Sequence, residues 1–394
     1  MYLLNTGFSY NDLVESRGDS AVLNYHKMIS GLNDDNHALG YARLDFISAV
    51  FCNGRTQLSY QHSAVVDIQL DYTKHMAQFL WYGNAAFLGQ AIDLAPGLSA
   101  IRYHKTSIGV AQSAGWISFG INASYLQGAS ALYARGNSLQ FFTDSVDYAI
   151  SVESDVTVYR TRPKRLLRFT PFADNPGSNE GFAIDMGLGF RPFESLQADV
   201  ALNNLGFINF NQAERWRTSG KIAFEGLDLS SYFQTDSFDV RPLRDSILNF
   251  ITIHRDSSGF RAVLSPQLIF SMNYTINNHW KLTTTWQRKI LKQSALNALQ
   301  CGAIKVWRPG EHIIETGLSI TAMTDLPIAL GAGLNFTWRF LQLSCFSDNV
   351  ATWFGPKARV PLYLFDKANN DAVVIPKSMK SFNLRFGLNV IFDT

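Results

Sequence analysis

Over the last stretch of the chain, Ser381 to Thr394, apolar side chains fall on every second position. Phe382, Leu384, Phe386, Leu388, Val390 and Phe392 alternate with Asn383, Arg385, Gly387 and Asn389. A period of two puts all the apolar groups on one face of an extended strand. Rising about 3.3 Å per residue and tilted by about 40°, eleven such residues climb about 28 Å, the height of the apolar band of a transmembrane barrel. Strands of soluble sheets are more often about five or six residues long. One long strand also suits the edge of a large sandwich, so the test is whether the pattern recurs.

It recurs along most of the chain. Ile117, Phe119, Ile121, Ala123 and Tyr125 alternate with Ser118, Gly120, Asn122 and Ser124. Phe182, Ile184, Met186, Leu188 and Phe190 alternate with Ala183, Asp185, Gly187, Gly189 and Arg191, and a turn at Pro192 to Glu194 leads into Leu196, Ala198, Val200 and Leu202. Leu268 to Ile276, His312 to Ile320 and Ile328 to Trp338 repeat it. Trp280 to Lys289 reads as a strand handed over from Leu268 to Ile276 by the turn Asn277-Asn278. Between the apolar positions stand mainly Gly, Ser, Asn, Thr and Ala. Bulk water against a sandwich face favours Lys, Glu and Arg, whereas small polar groups suit an enclosed, curved lumen. The pattern predicts an all-β fold, a single antiparallel transmembrane β-barrel with short helices in its loops or lumen.

Composition agrees. Aromatics make up 13% of the 394 residues and charged groups 17%, against about 25% charged in an ordinary soluble domain. No run of eighteen apolar residues occurs, so no transmembrane helix is expected. The net charge of +2 and the sparse basic clusters point away from nucleic acid. Cys52, Cys301 and Cys345 are odd in number and widely spaced, which suggests neither a disulfide framework nor a zinc site.

Leu44 to Phe51 and Thr56 to His62 flank Asn53-Gly54, a hairpin signal. Ser20 to Leu32 reads as a loop helix, and Asp67 to Trp81 as an amphipathic helix carrying Ile68, Tyr72, Met76, Phe79 and Leu80 and ending at Gly83. A further helix is expected over 243–253. Asn33 to His37 reads as a solvated loop, since it lacks the spacing of a calcium loop. Short turns such as Arg308-Pro309-Gly310 alternate with longer connections at 161–180, 225–262 and 348–378, the asymmetry of an outer-membrane barrel. No linker divides residues 1–394, so one domain is expected. Because Met1 opens directly in an expected strand, the domain is read as lacking its signal peptide and first strand.

Three segments carry a family resemblance: Asn5-Thr-Gly-Phe-Ser-Tyr-Asn-Asp-Leu13, Phe79-Leu-Trp-Tyr-Gly-Asn84, and Leu196 to Phe207. They resemble a Bacteroidota family of unknown function whose members are expected to form outer-membrane barrels, similar in shape to long-chain fatty-acid transporter-like barrels. The resemblance implies a bacterial outer-membrane location and about fourteen strands, within about 12 to 16. It carries over no catalytic residue.

Nor do the residues supply one. Gly187-Leu-Gly189 and Gly331-Ala-Gly333 lie inside strands, unlike phosphate loops. No Gly-x-Ser-x-Gly elbow or His-Glu-x-x-His pair is present, and the eight histidines are scattered. Arg160 to Arg168 is the densest basic run; it suits contact with lipopolysaccharide or a partner, and suits a solvated loop better. Asp185, Arg191, Asp199, Glu315 and Arg385 share the expected lumen face, where they set charge selectivity or pair with one another. Phe382, Leu384, Phe386, Leu388, Val390 and Phe392 are the expected lipid face of the last strand.

The expectation is a non-enzymatic conduit, passive or gated, for small or amphipathic solutes, with no cofactor or metal. The alternative is a structural or interaction barrel, an accessory of envelope assembly or protein secretion. An enzyme built from Ser, His and Asp or Asn on different strands stands third. Expected partners are outer-membrane lipid, the barrel assembly machinery and a periplasmic or surface protein, with no nucleic acid.

Overall fold

A computed structural model describes residues 2–17, 20–95, 97–172, 177–224, 253–291, 294–350, 357–361, 372–376 and 380–391. Along the chain run β1 (Tyr2–Asn5), α1 (Tyr10–Leu13), β2 (Val14–Arg17), β3 (Ser20–Leu23), α2 (Tyr25–Ser30), β4 (Asp35–Asn53), β5 (Thr56–Thr73) and α3 (Lys74–Tyr82). There follow β6 (Ala91–Asp93), β7 (Gly97–Ala114), β8 (Ile117–Thr143), β9 (Ile150–Thr161), β10 (Asn179–Phe193), β11 (Leu196–Phe224), β12 (Ile253–Val263) and β13 (Gln267–Asn277). The series ends with β14 (Trp280–Ile290), β15 (Ala295–Trp307), β16 (His312–Met323), β17 (Leu326–Trp338), β18 (Leu341–Ser347), β19 (Lys357–Pro361), β20 (Ala372–Pro376), β21 (Ser381–Asn383) and β22 (Arg385–Val390).

Eighteen strands form one sheet, while β2–β3 and β19–β20 are separate ribbons. Each described neighbour is antiparallel, and β1 closes the ring: Tyr2 faces Tyr41 of β4 on one side and Asn383 of β21 on the other. Four strands continue the line of another. β9 and β10 follow one another between β8 and β11, β12 and β13 both pair with β11, β6 and β7 both pair with β8, and β21 runs on into β22. The eighteen strands thus occupy fourteen staves among the described residues. Above β1, β4 has its register partners in β5, and β22 has its partners in β18.

Directly opposed residues on neighbouring strands share a face, so the register carries the sequence alternation around the wall. Phe336, Leu343 and Leu388 lie in one such row, and Tyr125, Phe182 and Phe207 in another. These rows point outward. Leu318 is 72% exposed, Ile328 70% and Phe386 74%, and a continuous apolar wall of this kind belongs against lipid.

The two rims differ. At one, turns of a few residues join β4 to β5, β7 to β8, β10 to β11, β13 to β14, β15 to β16 and β17 to β18. Gly54 and Gly115 take positive φ of 57° and 63° in the first two, which side chains with a Cβ rarely adopt. Exposed Trp116, Phe193, Trp280, Trp307, Trp338 and Phe340 ring this rim, an aromatic girdle of the kind that marks a membrane interface. His312 stacks on Phe336 and leans on Trp338 within the girdle. The other rim carries the longer connections and the helices.

Local readings at the second rim need correction. The helix expected over Ser20 to Leu32 begins only at Tyr25: Ser20–Leu23 is a strand, and the Asn24 side chain caps the helix by accepting from the Lys27 amide at 3.0 Å. Asp67 to Thr73 is strand and only Lys74–Tyr82 is helix, capped by Thr73, whose hydroxyl accepts from the Met76 amide. Asn33 to His37 is a solvated loop only in part: Asn33, Asp34 and Asp35 are exposed, and the strand begins at Asp35. Asn36 is fully buried, closing the turn through Asn33, and His37 is buried against Asp71. Met28, Ile29, Leu32 and Ala77 pack α2 on α3. The helix expected over 243–253 lies outside the described residues, apart from Ile253, which opens β12.

Candidate functional site: a lumen closed at one tier

The inward face changes character along the barrel axis. Near the short-turn rim it is polar and small: Gln61 and Ser59 on β5, Ser271 and Asn273 on β13, Thr283 and Thr285 on β14. Toward the long-loop rim the same phase turns apolar, and side chains meet across the lumen. Leu4 and Leu39 of β1 and β4 pack against Leu291 and Leu296, from the far side where β14 passes to β15. Val65, Tyr103, Leu126, Ala183, Ile208 and Phe210 form a second cluster from β5 round to β11. Phe260 stacks on Phe210 with centroids 4.9 Å apart and on Tyr159 at 4.8 Å. A fully buried side chain of this size contributes about 1.5–3 kcal/mol, so the tier is a packed core inside the ring.

A charged crossbeam borders this tier. Lys289, inward on β14, spans the lumen and donates to the Tyr2 hydroxyl at 2.8 Å and to the two Asp67 carboxylate oxygens at 3.2 and 3.3 Å. By the shorter route, five staves separate β14 from β5. The Lys289 side chain is 6% exposed and that of Asp67 17%. Tyr2 and Tyr41 stack at 5.3 Å, and the ammonium lies 5.5 and 5.7 Å from their ring centres. A buried ammonium persists only when paired and hydrogen-bonded, and here a carboxylate, a hydroxyl and two ring faces meet that need.

The five sequence-predicted lumen residues lie on the inward phase but form no single constellation. Asp185 accepts from Lys105 Nζ at 2.7 Å and from the Asn204 amide at 2.6 Å. Glu315 accepts from Lys281 at 2.8 Å and from the Asn335 amide group at 2.9 Å. Asp199 accepts from the Gln197 side chain at 3.0 Å. Arg385 sits over Phe346 at 5.7 Å, and Arg191 is exposed near the short-turn rim. Of the predicted lipid face, Phe386, Leu388 and Val390 are 74%, 67% and 50% exposed. Phe382 and Leu384 are half-buried, and Phe392 lies outside the described residues. The sequence reading missed Lys289, Asp67 and Tyr2. Lys289 stands in the inward phase of β14, and that phase was the available signal.

Between β9 and β10 the chain leaves the wall and lies across its outer face. His62, His104 and Arg102 share the outward phase of Leu58, Tyr60, Ile108 and Val110, yet His104 and Arg102 are fully buried. What covers them is the stretch 162–172. His62 Nε2 donates to the Pro171 carbonyl at 2.7 Å while Nδ1 accepts from the Thr106 hydroxyl at 2.8 Å. Arg102 donates to the Arg168 carbonyl, Ser130 donates to that of Arg162, and Leu166 is buried. The predicted loop of Arg160 to Arg168 is therefore strand to Thr161 and then a strap.

Fold and site together define a closed antiparallel β-barrel of the transmembrane kind, polar at one end of its lumen and filled at the other. The chain belongs to a family of unknown function, DUF5723, which it matches over residues 1–348. No curated protein matches it. Among solved structures it is similar to the ferric yersiniabactin uptake receptor FyuA from Yersinia pestis, at 9% identity and TM-score 0.30, over 86% of this chain and 45% of that one. The chain thus spans less than half the length of that receptor. It is also similar to a mutant of the TodX monoaromatic hydrocarbon channel, at 8% identity and TM-score 0.38, over 97% and 96% of the two chains. At such scores neither likeness carries the reading of this barrel, which rests on its own strand register.

Proposed function

We propose that the protein is a bacterial outer-membrane barrel that acts as a gated conduit for small or amphipathic solutes and performs no chemistry of its own. The observation that carries this reading is the Lys289 crossbeam, a paired charge spanning the lumen where a polar vestibule meets an aromatic and aliphatic tier. A purely structural core has no need of a buried ammonium, since an apolar residue of similar volume there is neutral or stabilising. An amphipathic solute finds hydrogen-bonding groups on one side of the crossbeam and aromatic faces on the other. The outer membrane is inferred from the apolar outer wall, the girdle at the short-turn rim and longer connections at the opposite rim. Liposome swelling and single-channel recording on correctly folded protein test the conduit, and the absence of both flux and conductance under all conditions refutes it.

A second reading draws support from the apolar cluster of Leu4, Leu39, Leu291 and Leu296. A tier packed this way suits a barrel that stays shut and serves as an accessory of envelope assembly or protein secretion. Stoichiometric recovery of one periplasmic or surface protein with a non-conducting barrel favours it.

A further inference from the structure

The short strand β1 fills only part of the gap in which it stands. Tyr2 faces Tyr41 of β4 on one side and Asn383 of β21 on the other, so at that height one strand fits between two flanks about 10 Å apart. Because β1 is antiparallel to both, β4 and the line of β21 and β22 run in the same direction, toward the short-turn rim. On the short-turn side of β1, residues 42–53 of β4 have register partners only in β5, and Arg385–Val390 only in β18, among the described residues. Elsewhere in the described wall neighbouring strands alternate in direction. Two flanks of like direction, one strand apart, leave a slot for a single strand antiparallel to both.

Side-chain exposure marks the same slot. On the inward phase Val50 is 56% exposed, while Ser59, directly opposite on β5, is half-buried. Ser48 is exposed against half-buried Gln61, and Asn389 against half-buried Gln342. In each pair the residue bordering the slot is the more open one.

The backbone calls for an occupant of one kind. Alternate residues of a strand send their N–H and C=O groups to opposite sides, so each flank presents a row of unpaired groups to the slot. They stand at the height of the apolar wall, where Ile47, Phe51 and Leu388 are exposed outward and no water is at hand to meet them. An acyl chain offers no hydrogen bond, and a helix pairs its backbone within itself. An extended polypeptide satisfies both edges at once.

We propose that the slot is a strand-acceptor site and that its occupant is an extended segment of a partner polypeptide, about 9–11 residues long. The segment lies in line with β1 and antiparallel to both flanks. Its outward positions, beside Ile47, Phe51 and Leu388, are apolar; its inward positions, beside Ser48, Gly387 and Asn389, are small or polar. The site stands on the register of the barrel and is independent of whether the lumen conducts.

The test adds a synthetic peptide of the β17 sequence, residues 328–338, to the folded full chain in neutral detergent and follows amide hydrogen exchange along the chain. Larger apolar residues alternate with small or polar ones over most of that peptide, as the slot requires. A control peptide has the same composition in an order that breaks the alternation. The expected result is exchange slowed about tenfold or more over both 42–53 and 385–390, with no change from the control peptide and none in β13 and β14 across the ring. Protection of neither edge, or of one alone, overturns the proposal. So does equal protection by the two peptides, and so does slow exchange at both edges before any peptide is added, since the slot is then already filled from within the chain.

Discussion

Replacing Lys289 by methionine keeps the length and the apolar stem of the side chain and removes the ammonium that spans the lumen. Asp67, 17% exposed, then faces the Tyr2 hydroxyl with no opposing charge. Removing one partner of a buried ion pair costs about 3–5 kcal/mol; with Asp67 partly open to lumen water, about 2 kcal/mol is a fair discount. That cost falls on the closed arrangement alone, because in an open one both groups are hydrated. A bias of about 2 kcal/mol shifts the open-to-closed ratio about thirtyfold. Single-channel recording on Lys289→Met should therefore show a much higher open probability than the native barrel, and liposome swelling should be faster. Lys289→Met with Asp67→Leu removes both charges and restores an apolar contact, so it is expected to close again. An open probability unchanged in the single variant, with the barrel folded, refutes the latch. So does a double variant as open as the single one.

Phe386→Arg or Leu388→Arg is expected to destabilise the barrel by about 2–4 kcal/mol in urea unfolding from liposomes, and Asn389→Arg by less than about 1 kcal/mol; equal tolerance contradicts the facing assigned to β22. Gly206→Ala puts a Cβ against the Phe182 carbonyl oxygen and Ala183 of the neighbouring strand, and about 1–3 kcal/mol of stability should be lost in the same assay. Cys52 is exposed on the inward phase near the short-turn rim, whereas Cys301, paired with Thr284 and Ile320, lies on the apolar wall. In proteoliposomes a water-soluble maleimide should label Cys52 and spare Cys301; comparable labelling of both contradicts the division of the wall.

The facing of β10, β13, β16 and β17 was legible because each keeps one apolar phase over ten or so residues, and that of β22 because β21 before it continues the same phase. The region from Asp67 to Trp81 was misread for a definite reason. Ile68, Tyr72, Met76 and Leu80 are spaced by four, a multiple of two that also lies close to the 3.6 of a helix, so the outward stripe of a strand ran without a break into the face of a helix. Thr73 was the sign of the change, a capping residue set three positions before Met76. At Asn24 the same kind of sign marks where the hairpin gives way to α2.

The crossbeam was not legible, because it depends on the cross-section of the closed ring. Asp67 and Lys289 are separated by 222 positions, and no local period relates them. The strap stands between these cases. His62, His104 and Glu180 all fall on the phase that elsewhere carries Leu58, Ile108 and Phe182, and a lipid-facing phase that turns polar over several neighbouring strands has to be covered or lie beyond the lipid. Next to them in the chain's expected loops was a basic run with apolar residues inside it. The loop returns to the wall and meets that need: His62 reaches the Pro171 carbonyl and Arg102 the Arg168 carbonyl.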